Sequence, residues 1–331
     1  MVGDAIFDEK TGKWHYSDQK QLHTHLDEGK ALKRTRGAIQ ELGRRLRDHA
    51  VDATAAAKVR EECRDGVWSG PTSGKAPGHV QANLVMLPSK YKNDFERFCA
   101  LNPQACPLLE TIDSTTTTDA DGHRRLKLIS AVVAPGADIL TDAPKYTVYN
   151  GHDKVEVLRA DVSVPEDVQG LTGFVFGCSF SWEDKLAEAG APPRHMVQGK
   201  NVSMYRTNIP NKVAGPFGGV LVVTMRPYRL DQIPQVIQIT SQYPLAHGRP
   251  VHIGDGRAIG VDISQPPHYG DAVEVHEDEV CVFWCCGVTS TVGAISGDPE
   301  FLVTHSPGHM LVLDITNDML LGIGDFDELR P

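Results

Sequence analysis

The chain reads as an α/β fold, a mostly parallel sheet covered by helices on both faces, with a smaller antiparallel lobe. Three observations predict it. Hydrophobic residues make up 40% and charged residues 23% of 331 positions, enough apolar surface for a real core and too much for a disordered chain. In the second half, apolar runs at 173–176, 219–225, 280–284, 301–304 and 310–314 read as strands and alternate with helical stretches at 182–189, 231–242 and 289–295. That alternation favours a mostly parallel sheet buried on both sides. Between 126 and 170 only short strand patterns occur (126–133, 146–149, 155–158), broken by Pro, Gly and Asp, which suits a separate lobe.

The elements follow in order. Residues 17–48 predict a helix, with Asp18 and Gln21 at capping-box spacing and Ile39, Leu42 and Leu46 on one face. Its cations, among them Lys30, Arg44, Arg45 and Arg47, read as a solvated face. A second helix spans 52–65 and stops at Gly66. Residues 64–88 hold Gly66, Gly70, Gly74 and Gly78 with Pro71 and Pro77, a long loop leading into a buried strand at 82–87. Its residue order is not that of a P-loop. Residues 89–99 form a helix with Phe95 and Phe98 as core positions. The polar run 114–124, STTTTDADGHR, reads as a flexible surface insertion. In the 231–242 helix, Ile233, Val236 and Ile237 face inward.

The net charge of −10 argues against nucleic acid and against an anionic membrane surface, both of which need clustered positive charge. No apolar run approaches the ~20 residues that span a bilayer. The first twenty residues lack a secretory apolar core and carry Asp4, Asp8 and Glu9, so the chain reads as cytoplasmic, or as a matrix protein if a transit peptide precedes it. Seven cysteines without a CxxC pair suit reduced, mostly buried thiols rather than a disulfide framework or a structural zinc site.

Two stretches echo each other. Val175-Phe176-Gly177-Cys178 precedes Ser179 and a helix; Val282-Phe283-Trp284-Cys285 precedes Cys286, Gly287, Thr289 and a helix. Each puts a Cys at the carboxyl end of an apolar strand, before a helix N-terminus, where free N–H groups favour an anion. The alternative is two similar buried strands. In the polar segment 200–210, Arg206 could fork onto a carboxylate, with Thr207 and Asn208 as further donors, or it is a surface arginine near a turn. Six of the 14 histidines lie between 247 and 309: His252 stands close to Asp255, His268 close to Asp271, and His305 and His309 flank Ser306-Pro307-Gly308. Pro307 and Gly308 forbid the helix that a zinc-protease motif needs. These groups read as acid/base or orienting residues, as a looser divalent-metal site, or as hydrogen-bonded loop histidines.

The strings RDGVWSGPTSGKAPGHVQANL, FCALNPQACPLLE, GADILTDAPKY, FGCSFSWEDKLAEAG, NVSMYRTNIP, HGRPVHIGD, YGDAV, VFWCCGVT and THSPGHMLVLD, in order from about 55 to 316, resemble the D-glutamate cyclase family. The resemblance implies a layered mixed sheet with helices on both faces plus a smaller inserted α+β domain, and dehydration of D-glutamate to 5-oxo-D-proline without an organic cofactor. The expected division is 1–130 with 245–331 as the larger domain and 131–244 as the inserted one. His252, Asp255, Asp271, His305 and His309 are the candidates for proton transfer, and His252, Asp255, His305 and His309 are expected to converge near the Cys285 loop. Thr72, Gln81, Asn83, Cys178, Ser179, Arg206, Thr207, Asn208, Cys285, Gly287 and Thr289 are the candidates for substrate binding. Neither Cys178 nor Cys285 is expected to be a covalent nucleophile. No resident metal is expected; the partner is a small carboxylate, with further copies of the chain as a second one. Ser290-Thr291 stands where the family pattern has Pro-Gln, so a hydratase or dehydratase of another small carboxylate, or a non-catalytic sensor of small acids, are the alternatives.

Overall fold

The structure, a computed structural model, describes residues 5–8, 13–16, 28–118, 121–151, 153–158 and 162–324. The expected cap at Asp18 and Gln21 lies outside the described residues. In chain order the elements are β1 (Ala5–Asp8), β2 (Lys13–Tyr16), α1 (Glu28–Asp48), α2 (Thr54–Arg64), β3 (His79–Pro88), α3 (Lys92–Leu101), β4 (Leu108–Asp113), β5 (Thr115–Thr118), β6 (Arg124–Lys127), β7 (Lys145–Asn150), β8 (Asp153–Leu158) and β9 (Leu171–Phe176). Then come α4 (Phe180–Glu188), α5 (Arg194–Val197), β10 (Ser203–Pro210), β11 (Val220–Arg229), α6 (Ile233–Thr240), β12 (His252–Ile253), β13 (Glu279–Cys285), α7 (Val288–Ser296), β14 (Phe301–His305) and β15 (Leu311–Thr316). Among the described residues no helix is long and apolar enough to cross a membrane.

The fold is mixed α/β, but the parallel sheet expected from the alternation is corrected. A seven-stranded sheet runs β4-β9-β3-β14-β7-β8, with β15 also on β3, and a four-stranded sheet runs β10-β11-β13-β12. Every strand pairing in them is antiparallel. The reason lies in where the helices lead. α4 and α5 carry the chain from β9 in the larger sheet to β10 in the smaller one, and α7 carries it back from β13 to β14. α4, α5 and α7 thus link two sheets, and α6 leads from β11 to β12 within its own sheet, where both strands pair antiparallel with β13, so the alternation is not a run of βαβ units. Strands on both sides of residues 130 and 244 share sheets: β7 and β9 pair with β14 and β3, and β11 pairs with β13.

β3 is buried on both faces, which explains its unbroken apolar run. Val80, Ala82, Leu84 and Met86 enter one core with Trp182, Ile233, Val236 and Trp284; Val85 and Leu87 enter a second with Phe95, Phe98, Phe174 and Phe176. The two pairs β3/β9 and β11/β13 are built alike. After each of β3 and β11 a single 3-10 turn leads into the helix, α3 or α6, and Asn83 faces Phe176 across the first pair as Thr224 faces Trp284 across the second. The sequence echo is part of this likeness, displaced by one residue: Cys178 corresponds to Cys286, not to Cys285.

Two further expectations are refined. Within the run 114–124, expected as a surface insertion, the described residues of β5 pair with β6 as an exposed antiparallel ribbon. The strand expected over 126–133 ends at Lys127 because Glu110 intervenes. Its buried carboxylate accepts from the Ala131 N–H at 2.7 Å, Val132 N–H at 3.0 Å, Val133 N–H at 3.1 Å and Ser130 hydroxyl at 2.6 Å, which takes those amides out of any ladder. Glu110→Gln puts an NH2 group against these donors. It is expected to cost about 3 kcal/mol, read as a lower urea midpoint at unchanged slope.

Candidate functional site

The likeness of the two strand pairs places two matching turns opposite each other. In the first, the Ser181 and Trp182 N–H groups donate to the Cys178 and Ser179 carbonyls; in the second, Thr289 and Ser290 donate to Cys286 and Gly287. The amides of Phe180 and Val288 face the Cys178 and Cys286 thiols. Neither Ser179 nor Gly287 caps its helix with a side chain, and their N–H groups make no hydrogen bond among the described residues. Phe180 and Val288 pack against one apolar cluster that includes Cys286, and the Cys178 and Cys286 thiols lie near each other, which joins the turns. Asn83 lies against the second turn: it donates to the Gly177 carbonyl at 3.0 Å, and a Cβ on Gly287 would stand 2.3 Å from its Nδ2. Only glycine fits at 287, for reasons of space.

Burial raises the Cys178 thiol to about 11 and the Cys286 thiol to about 12. Cys285 is pushed up as well, again by burial. Its side chain belongs to the core beside Cys106 and Phe176, so Cys286 takes the place expected of it.

Beneath the first turn lies a group that the sequence reading missed. Arg226, fully buried on β11, donates Nε and Nη2 to Glu183, Nη2 to the Ser179 hydroxyl at 2.9 Å and Nη1 to Thr224 Oγ1 at 2.8 Å. Its guanidinium stands 4.6 Å from the Trp182 ring centroid and 5.4 Å from that of Trp284. His195 Nε2 reaches Glu183 at 3.2 Å. Burial pushes the Glu183 carboxyl up, but Arg226 and His195 outweigh it and hold it below the usual range. The available signal was one arginine inside the apolar run Val220–Arg229, and a glutamate four residues after Ser179 on an otherwise buried helix face.

On the other side of Asn83, loops converge. Gln81, on the same face of β3, donates to the Thr72 carbonyl at 2.8 Å. Thr72 N–H donates to Gly308 O, and its hydroxyl accepts from Met310 N–H at 2.9 Å. Asn201 and Pro71 lie beside Gly308, and the Asp271 carboxylate accepts from Asn201 N–H at 2.8 Å. His305 Nδ1 accepts from Leu84 N–H at 3.0 Å, which leaves its proton on Nε2, and burial lowers the imidazole to about 4. His309 is tied the other way: its Nδ1 bonds the Pro307 carbonyl at 2.9 Å, which leaves a lone pair on Nε2.

The remaining candidates lie elsewhere. The structure does not bring His252 and Asp255 to His305 and His309. His252 pairs with Phe283 on β12, and its Nε2 bonds the Asp255 main-chain carbonyl at 2.9 Å, not the carboxylate. The Asp255 carboxylate holds Arg257 at the surface and lies near Cys281, four residues or roughly 13 Å along the strand from Cys285. Arg206 is exposed and bonds the Tyr269 hydroxyl at 2.9 Å; Thr207 bonds the Leu221 carbonyl at 2.8 Å; Asn208 packs under Gly260. Thr289 ties α7 to Val222, and Ser290 bonds the Gly287 carbonyl at 2.7 Å, so both serve the turn rather than a pocket. Among the described residues no three His, Cys, Asp or Glu side chains gather as metal ligands. A narrow apolar cleft beside α1 and an open depression along α4 do not reach Ser179 or Gly287.

Comparison with known proteins follows the same regions. The family model described as D-glutamate cyclase matches residues 172–314. A protein of Rubrobacter xylanophilus is 44% identical over 264 residues, covering 80% of this chain and 97% of its own length. One of Bordetella pertussis is 45% identical over 275 residues (81% and 92%), and one of Thermoanaerobacter pseudethanolicus is 44% identical over 266 (80% and 95%). All three carry the provisional name of hydro-lyase. A solved nitrogen repressor-like protein of Methanococcus jannaschii covers 80% of this chain at 8% identity and a TM-score of 0.31, too low to carry an argument.

Two buried histidines give the fold a pH dependence. Burial lowers both His247 and His305 to about 4. Above the ordinary histidine range both states are neutral; as pH falls towards 4 the unfolded chain takes up protons that the fold refuses. Stability is therefore expected to fall between about pH 6.5 and 4, by roughly 2 kcal/mol per histidine at pH 5. Urea titrations at pH 7.5 and 5 check this, and His305→Gln is expected to remove about half of the difference, leaving the part due to His247.

Proposed function

This chain belongs to the D-glutamate cyclase family, and we propose that it is a hydro-lyase that dehydrates D-glutamate, or a closely related small amino acid, to a cyclic 5-oxoproline-like product. The observation that carries the reading is the pair of matched turns, whose Ser179 and Gly287 N–H groups make no hydrogen bond among the described residues. Such a pair suits a substrate with two carboxyl groups, one to be held and one to react.

In the reaction the substrate nitrogen forms a bond to its own γ-carboxyl carbon, and one C–O bond of that carboxyl breaks. Two protons leave the ammonium group and depart with the oxygen as water. Every reacting atom is the substrate's own, so no electron acceptor or organic cofactor enters. In this reading the first turn holds the α-carboxylate, and the Gly287 turn with Asn83 receives the oxyanion that forms at the γ-carbon. His309, with its Nε2 lone pair, takes the ammonium proton; His305, with its proton on Nε2, donates a hydrogen bond to the departing oxygen. Intramolecular attack already has a high effective concentration, so no acyl-enzyme is needed.

Incubation with D-glutamate and with related small acids, read by mass spectrometry, is expected to give a product lighter by one water from D-glutamate. Binding without product would support a sensor instead. Asn83→Ala and His309→Ala are expected to lower kcat/KM by roughly 100-fold each. Cys178→Ser is expected to keep turnover within about tenfold, since burial holds that thiol protonated at neutral pH. A trapped thioester on Cys178 would overturn the scheme, and so would wild-type turnover in His309→Ala.

A further inference from the structure

A buried ion pair is a costly way to fill a core, because both charges lose water and a well-packed apolar pair of the same volume is often more stable. Arg226 and Glu183 form such a pair between two tryptophan rings, in the core that also takes Val282 and Leu186. What the pair does besides neutralising itself shows in its donor accounts. A guanidinium has five N–H groups. Two meet Glu183, one Thr224 and one the Ser179 hydroxyl oxygen. Ser179 opens α4 with helical backbone angles (φ −58°, ψ −20°), so its side chain does not cap the helix and its hydroxyl turns inward. Its oxygen is engaged by Arg226, and its own proton points away from the guanidinium, on the side of the Cys178 thiol, which the hydroxyl also reaches.

We propose that Arg226 is a positioning residue that, charge-balanced by Glu183, fixes the Ser179 hydroxyl oxygen and so holds the Ser179 N–H and O–H together as a two-donor clasp for one carboxylate of the substrate. His195 steadies the pair from the far side: its Nε2–H meets Glu183 and keeps the carboxylate facing Arg226. The opposite turn has Gly287 where the first has Ser179, and β3 carries Val85 where β11 carries Arg226, so the two turns are unequal: one clasps with a hydroxyl and an amide, the other offers an amide beside Asn83. This inference rests on the reading that a substrate carboxylate docks at the first turn, and it assigns that dock to the carboxylate that does not react.

The test is a double-mutant cycle read by binding as well as by turnover. Glutarate carries two carboxylates and no amine, so it cannot cyclise, and its titration by calorimetry reports docking alone. Ser179→Ala and Arg226→Gln are each expected to weaken glutarate binding and raise KM for D-glutamate by about tenfold or more, with a smaller change in kcat. The combined variant should be no worse than either single one beyond about twofold, because both remove the same clasp. If Arg226→Gln fails to fold with Glu183 left unpaired, Glu183→Gln/Arg226→Gln removes both charges and enters the cycle in its place. Multiplying effects, or wild-type glutarate affinity without Arg226, would overturn the proposal while leaving the cyclase reading intact. Coupled loss of glutarate binding in a protein that turns over no amino acid would sustain the clasp and remove the cyclase reading. A wild-type protein that binds neither glutarate nor D-glutamate removes both.

Discussion

Strand β3 has no solvent side, and much of the molecule is arranged around that constraint. From Val80 to Pro88 every side chain is buried, so polar groups on the strand have only protein partners to turn to, and Gln81 Oε1 has none among the described residues. Gln81 finds the Thr72 carbonyl and thereby pins the glycine-rich loop 64–78. Asn83 finds the Gly177 carbonyl and lies against Gly287. Where the ladder to β14 ends, the Leu84 amide is taken by an imidazole, His305, in place of a carbonyl. Three segments distant in sequence are drawn to one stretch of strand by the need to satisfy it, and the candidate site lies where they meet.

Strand β11 meets the same demand with charge. At the position of Asn83 it carries Thr224, and two residues on it buries Arg226, which draws in Glu183, His195 and Ser179. One half of the repeated arrangement is thus neutral and closely packed through Gly287, and the other is ionic and held between indole rings. Two halves of common design and different chemistry suit a molecule whose two ends differ.

Much of this was legible in the sequence, for identifiable reasons. The helices were readable from period and punctuation: Leu42, Phe95, Phe98, Ile233 and Val236 are buried as their spacing implied. The two turns were visible as an echo, matched at Cys178 and Cys285 and so one residue out of register, because strand ends before helices share a pattern. What misled was treating local alternation as topology, since a helix that leads to another sheet looks like one that returns. Histidines and carboxylates in Gly-rich segments also misled: His252 and Asp255 close a turn and hold Arg257, as loop polar groups commonly do. Arg226 was passed over because a single cation in an apolar strand has no motif; only its partners, 43 and 47 residues earlier, give it meaning.

The strand order also bears on how the chain comes into being on the ribosome. β14 lies between β3 and β7, yet it is made roughly two hundred residues after β3. Until residues 301–305 emerge, β3 and β7 have no common neighbour, and the apolar flank of β3 that β14 and β15 cover is bare. The nascent protein therefore carries an open, hydrophobic strand edge through most of its synthesis, a state prone to self-association and suited to a holding chaperone.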